Sequence, residues 1–193
     1  MRKVLVIFAH PKYEHSEVNQ ALIRSIEGLE GVTIRDLYEL YPDFNIDVQS
    51  EQELLFEHEI ILFQHPFYWY SCPPLLKQWM DLVLEFGWAY GPGGIYLKGK
   101  YLLSSITSGG SSEAYQPDGK NRFTLEELLR PFEQTAYLCK MEYLPYFHIG
   151  GTHRIKDDEL NQKSLDFQKL VFHLRDAEKI VSESLPHLEQ NLS

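Results

Sequence analysis

The run Ile60-Ile61-Leu62-Phe63, followed after Gln64 by His65-Pro66-Phe67-Tyr68-Trp69-Tyr70-Ser71-Cys72-Pro73-Pro74, decides the fold. Its first four residues are continuously apolar, the pattern of a strand buried on both faces of a parallel sheet. Four adjacent aromatics, Phe67 to Tyr70, stand where that strand ends, and an amphipathic helix begins after Pro74. In an open α/β sheet, ligands bind outside the carboxyl ends of the strands. An aromatic wall there, stiffened by prolines on both sides, suits a planar ring system.

Working outward, strand-like and helix-like stretches alternate. Val4-Leu5-Val6-Ile7-Phe8-Ala9 reads as the first strand. Val18, Ala21, Leu22, Ile26 and Leu29 then share one face of a helix that ends near Gly31. Thr33 to Tyr38 is the expected second strand, Ser50 to Glu57 a short acidic helix, and Ile60 to Gln64 the third strand. After Pro74, Leu75, Leu76, Trp79, Met80, Val83 and Phe86 form a broad apolar face that ends at Gly87. Tyr101 to Thr107 is the fourth strand. A helix from about Thr124 is expected to be kinked or interrupted at Pro131 on its way to Leu138. Met141 to Ile149 is the fifth strand; Pro145 removes a ladder donor and so assigns it to a sheet edge. Phe167, Leu170, Val171, Leu174, Val181 and Leu185 fall in register on a last helix.

Five strands separated by helices predict a doubly wound parallel α/β sheet. The flavodoxin-like order 2-1-3-4-5 fits five strands and leaves the fifth at an edge, with one domain over residues 1–193. That order puts a topological switch between the first and third strands. The loops after those strands, one holding His10 to Asn19 and the other the aromatic run, then face each other across one crevice.

The bulk composition narrows the function. The apolar fraction, 44% of 193 residues, is enough for a sizeable core, and the net charge of −10 disfavours nucleic acid. The apolar run at the N-terminus is too short to span a membrane, so a cytoplasmic location is the default. Cys72 and Cys139, the two cysteines, are not in a CxxC arrangement. The eight histidines are scattered, and His148 and His153 have no carboxylate at ligand spacing between them, so no metal is expected. The chain has no G-x-S-x-G elbow, no P-loop and no G-x-G-x-x-G after the first strand.

Four constellations remain. His10-Pro11, Ser16 and Asn19 join a strand end to a helix start, where an N-cap and free N–H groups meet an anion. Pro66 to Tyr70 supplies the ring wall, for which a flavin isoalloxazine is the obvious candidate; Tyr68 and Trp69 are adjacent on a turn and are not expected both to point inward. Thr107-Ser108-Gly109-Gly110-Ser111, with Tyr115 after it, allows close backbone approach and a phenol donor. Phe86 to Gly94 places Trp88 and Tyr90 on a Gly-rich loop that either covers a pocket or meets a neighbouring subunit.

Together these motifs resemble the NAD(P)H:quinone oxidoreductase family of flavodoxin-like flavoproteins, over roughly residues 3 to 150. The segments Gly87-Trp88-Ala89-Tyr90-Gly91 and Asn121-Arg122-Phe123-Thr124, with Glu127 to Phe132, look closest to the small ancillary flavoprotein subunits of bacterial glutathione-gated potassium efflux systems. The resemblance implies a homodimer with flavin near the interface, Trp88 and Tyr90 approaching the partner's flavin. It implies two-electron ping-pong transfer from NADPH or NADH to a quinone. It assigns His10, Ser16, Val18 and Asn19 to the phosphate, and Pro66, Phe67, Tyr68 and Trp69 to the ring. Thr107, Gly109, Gly110 and Tyr115 go to the ring's polar edge, Tyr115 also being the catalytic candidate. FMN is favoured over FAD. The closer likeness implies a second role, as a regulatory subunit on the inner face of the membrane, bound to a potassium/proton antiporter. Lys120-Asn121-Arg122 stands where better-known animal members carry a histidine proposed for proton relay. An electron-transfer flavodoxin suits the acidic charge but not the aromatic loops.

Overall fold

The continuous apolar runs become the centre of a parallel sheet. The computed structural model describes residues 1–180 and Leu185. In chain order its elements are β1 (Val4–Phe8), α1 (Glu17–Ile26), β2 (Val32–Asp36), α2 (Leu37–Leu40), α3 (Val48–Glu57) and β3 (Ile60–Pro66). They continue with α4 (Pro74–Val83), β4 (Tyr101–Thr107), α5 (Leu125–Leu138), β5 (Glu142–Tyr143), β6 (Phe147–Ile149) and α6 (Asp157–Asp176). The sheet order is β2-β1-β3-β4-β5, with β6 also pairing with β4, all parallel. This is the expected flavodoxin-like order.

Each central strand feeds two cores. Leu5 and Ile7 of β1 and Ile61 and Phe63 of β3 pack on α3, α4 and α5 through Leu55, Leu76, Trp79, Leu129 and Phe132. Val4, Val6, Phe8, Ile60 and Leu62 meet α1 and α6 through Leu22, Ile26, Phe167, Leu170 and Leu174. Burial on both faces is why these strands read as unbroken apolar runs rather than alternating ones.

The expected fifth strand is two strands. Tyr101 pairs with Glu142 and Leu102 with Tyr143, whereas Ser105 pairs with Phe147. Leu144, Pro145 and Tyr146 therefore span the place of Leu103 and Ser104, one residue too many for a regular ladder. Pro145, without an N–H, sits in the resulting bulge, and Leu144 N–H still reaches Leu102 O at 2.8 Å.

Other boundaries moved for local reasons. β2 stops at Asp36 because its carboxylate accepts from Tyr38 and Glu39 N–H and starts α2. β3 extends through His65 and Pro66, which pair with Ile106 and Thr107. α4 ends at Val83, so Phe86 lies outside the helix and is 68% exposed instead of joining the apolar face. Pro131 does not interrupt α5, which opens on a capping box between Thr124 and Glu127. α6 ends at Asp176; Leu185 is buried but not helical, and Val181 lies outside the described residues. Among the described residues no helix is long and apolar enough to cross a membrane.

Candidate functional site

The carboxyl ends of β1, β3, β4 and β6 surround a cleft of about 410 Å³ at the switch between β1 and β3. Nine of the anticipated residues line it: His10, Ser16, Val18, Asn19, Pro66, Phe67, Tyr68, Thr107 and Gly109.

At one end is the first turn of α1. Ser16 caps it, its Oγ accepting from Asn19 N at 3.4 Å and from Asn19 Nδ2 at 2.9 Å. The Ser16 hydroxyl proton is left to donate outward, beside the unpaired N–H groups of Glu17 and Val18 at the positive end of the helix. His10 Nδ1 accepts from Lys12 N–H at 3.1 Å, which leaves the proton of the neutral ring on Nε2. Burial pushes the His10 pKa down, only partly opposed by Glu14. Lys12, His15 and His153 also line the cleft, whose one carboxylate is Glu17.

Asn19 is a strut rather than an open donor. It is 2% exposed; its Nδ2 also donates to Thr107 Oγ1 at 3.0 Å, and its Oδ1 accepts from Gln64 Nε2 at 2.8 Å. Three elements, α1, β3 and β4, are thereby locked to one side chain.

At the other end is the aromatic turn. Phe67 N–H donates to Thr107 O at 2.7 Å, and Phe67 packs inward, 6.0 Å from the ring of Tyr115. Ser71 N–H closes onto Tyr68 O at 3.0 Å. Between them Trp69 (φ 50°) and Tyr70 (φ 62°) are both left-handed, the geometry of a type I′ turn that normally takes Asn or Gly. Holding two bulky residues there costs roughly 1–3 kcal/mol each. The turn splits the run as its adjacency required: Tyr68 lines the cleft, edge-on to His10 at 6.2 Å, while Trp69 is 90% exposed. Tyr70 OH donates to Asn121 Oδ1 at 3.3 Å, tying the turn to the loop after Tyr115.

Gly110 and Tyr115 lie behind the lining. Tyr115 is buried against Phe67 and, edge-on at 5.9 Å, against His148. Trp88 and Tyr90 are not at the cleft. Trp88 stacks on Tyr96 at 5.5 Å and 8° in a separate surface groove with Phe56, and Tyr90 lies edge-on to Phe86.

Sequence reasoning did not assign Lys12, His15, Glu17, Thr152 or His153 to the site. Thr152 and His153 follow β6, whose carboxyl end meets the same crevice. Applying the strand-end rule to the edge strand finds them.

A model of the flavodoxin-like fold matches residues 2–171. The chain belongs to the flavodoxin-like family. It is 48% identical over 162 residues to the glutathione-regulated potassium-efflux system ancillary protein KefG of Pectobacterium carotovorum, covering 84% of this chain and 88% of that one. Two solved structures are also similar. The general stress protein 14 of Treponema denticola, solved in complex with FMN, superposes with a TM-score of 0.86 at 37% identity, covering 90% of this chain and 99% of that one. An NADPH-quinone reductase from P. pentosaceus gives 0.80 at 34% identity, covering 86% and 96%.

Proposed function

We propose that this chain is a flavin-dependent NAD(P)H:quinone oxidoreductase that uses FMN. The observation that carries the reading is one cleft joining a capped, cation-flanked helix N-terminus to an aromatic turn and a double-glycine strand end. Its volume falls within the range of cofactor sites. The residues present fit the group. A Cβ on Gly109 would lie 3.0 Å from His153 Nε2, and one on Gly110 3.2 Å from the Tyr115 ring. Side chains at these two positions would crowd His153 and Tyr115, and glycine leaves the backbone open where a planar ring's polar edge would lie.

Bound flavin supplies two-electron chemistry, taking a hydride from NAD(P)H and returning two electrons to a quinone. The protein's part is orientation and charge. The α1 N-terminus, Ser16, His10 and Lys12 hold a phosphate monoester, whose two negative charges use this set more fully than a pyrophosphate diester does. Pro66 to Trp69 flank the ring, Thr107, Gly109 and Gly110 meet its edge, and Tyr115 supplies a phenol donor where negative charge develops. The FMN complex of the Treponema protein and the NADPH-quinone reductase are in accord with this reading. Steady-state consumption of NADPH or NADH with a quinone by the isolated, FMN-loaded protein is the expected result. No turnover with either nucleotide, or with FAD in place of FMN, rejects it.

The identity to KefG supports a second role, as ancillary subunit of a glutathione-gated potassium/proton antiporter at the inner face of the membrane. The groove of Phe56, Trp88 and Tyr96 is the surface a homodimer would cover in both readings. Co-purification with a co-expressed antiporter tests the second role; its failure leaves the reductase reading intact.

A further inference from the structure

His148 is buried on β6 and touches the β4 loop at several points. Its Nε2 is 2.8 Å from Ser108 Oγ and its Nδ1 3.4 Å from Ser112 Oγ. Its ring edge meets Tyr115 at 5.9 Å and 87°. Ser108 Oγ is also 2.7 Å from Gly110 O, which can only accept, so the single hydroxyl proton of Ser108 goes to that carbonyl. Ser108 Oγ must then accept from His148, which puts a proton on Nε2, with Nδ1 facing Ser112 Oγ.

The fit is close. A Cβ on Gly150 would lie 2.9 Å from His148 Cε1 and 2.8 Å from Gly110 O, so only glycine lets the two loops approach. Gly151 N–H and Thr152 N–H donate to Gly110 O at 2.9 Å and Ser108 O at 3.1 Å, closing the loops along their backbones. The imidazole thus contacts Ser108, which lines the cleft, and Ser112 and Tyr115 behind it.

We propose that His148 is a positioning residue: donating from Nε2–H to Ser108, it holds the 108–115 loop so that Ser108 and Gly109 line the cleft with Tyr115 packed directly behind them. The proposal deepens the reductase reading and rests on it for the kinetic consequence. His148→Phe keeps an aromatic edge against Tyr115 and removes the hydrogen bonds to Ser108 and Ser112. His148→Gln restores a donor near the Nε2 position.

In the FMN-loaded full chain, His148→Phe is expected to lower kcat about tenfold with little change in KM, the scale of one lost positioning hydrogen bond. His148→Gln is expected to recover most of it. Added to Tyr115→Phe, His148→Phe should cause no further loss, because both act through one group. Full additivity, or wild-type kcat in His148→Phe, overturns the proposal. Should His148→Phe not fold, Ser108→Ala removes the same link, with the same two outcomes.

Long-range ¹⁵N–¹H correlation of the His148 ring at neutral pH gives a readout independent of turnover. The Nε2–H tautomer is expected, and the Nδ1–H tautomer overturns the proposal whatever the protein reduces. An inactive wild type that shows the Nε2–H tautomer overturns the reductase reading and leaves the hold on Ser108 standing.

Discussion

Asn19 Nδ2 donates to Thr107 Oγ1 across 3.0 Å, joining the first turn of α1 to the last residue of β4, 88 positions away in sequence. Through this one bond the anion-binding end of the cleft and the end that meets a ring's polar edge share a frame. Gln64, donating to the same Asn19, adds β3 to it.

Thr107→Val removes the acceptor at nearly constant volume and leaves one Asn19 N–H without its partner. The expected cost is about 1–2 kcal/mol in denaturant unfolding, with a several-fold weaker Kd for FMN by fluorescence titration. Unchanged stability and affinity would mean that the two ends are held independently.

The aromatic turn stores strain that its exposed tryptophan does not repay by packing. Trp69→Gly puts the residue suited to φ 50° at that position and should stabilise the fold by up to about 1 kcal/mol. If Trp69 flanks the flavin ring as proposed, the same change weakens FMN binding. A more stable variant with unaltered FMN affinity would remove Trp69 from the site.

Glu51 is fully buried, and its carboxylate accepts from Arg35, from Tyr41 OH at 2.7 Å and from Trp79 Nε1 at 2.9 Å. These bonds fasten α3 to β2 and to α4, the helix that follows the aromatic turn. Glu51→Ala leaves Arg35 without its carboxylate, and a loss of about 3 kcal/mol or more is expected in the unfolding free energy. A loss under about 1 kcal/mol would mean that water or rearrangement replaces the network.

His65 is fully buried at the end of β3, stacked on Phe132 at 5.7 Å, and burial lowers its pKa from 6.5 to about 4. The folded state therefore binds its proton more weakly than the unfolded state. The stability this lends is complete above pH 6.5 and is lost progressively as pH falls from 6.5 towards 4. The difference in pKa corresponds to about 3 kcal/mol. His10 and His58, whose pKa values are also lowered chiefly by burial, add in the same direction. Urea midpoints should fall between pH 7 and pH 5, and His65→Leu should flatten the dependence. An equally steep fall in His65→Leu would assign it to other groups.

Much of this architecture is legible in the chain because burial on both faces leaves Val4–Phe8 and Ile60–Phe63 without alternation, which few structures but a central parallel strand explain. The loops after those strands then fall together by topology alone. Pro145 marked the edge strand, but its bulge is a matter of register against β4, which a single chain segment does not encode. Phe86 carried helical spacing, yet α4 stops at Val83, and Gly87 with φ 84° belongs to the next turn. Asn19 looked like an open donor because its three partners, Ser16, Gln64 and Thr107, lie on separate elements. His148 looked like a failed metal ligand for the same reason.

Tyr115→Phe removes only a hydroxyl from a ring packed between Phe67 and His148. Flavin retention and Tm should be unchanged, and single-turnover reduction by NADPH about tenfold slower, the size of one hydrogen bond to a developing charge. Reduction at the wild-type rate would exclude the phenol from the reaction.

The most direct test of the account is the absorbance spectrum of the freshly purified protein, with mass identification of whatever heat releases from it. Flavin bands that bleach on adding NADPH and return with a quinone, together with released FMN, are the predicted result. A colourless protein that takes up neither FMN nor FAD would contradict it and leave the cleft between His10, Tyr68 and Thr107 without its proposed occupant.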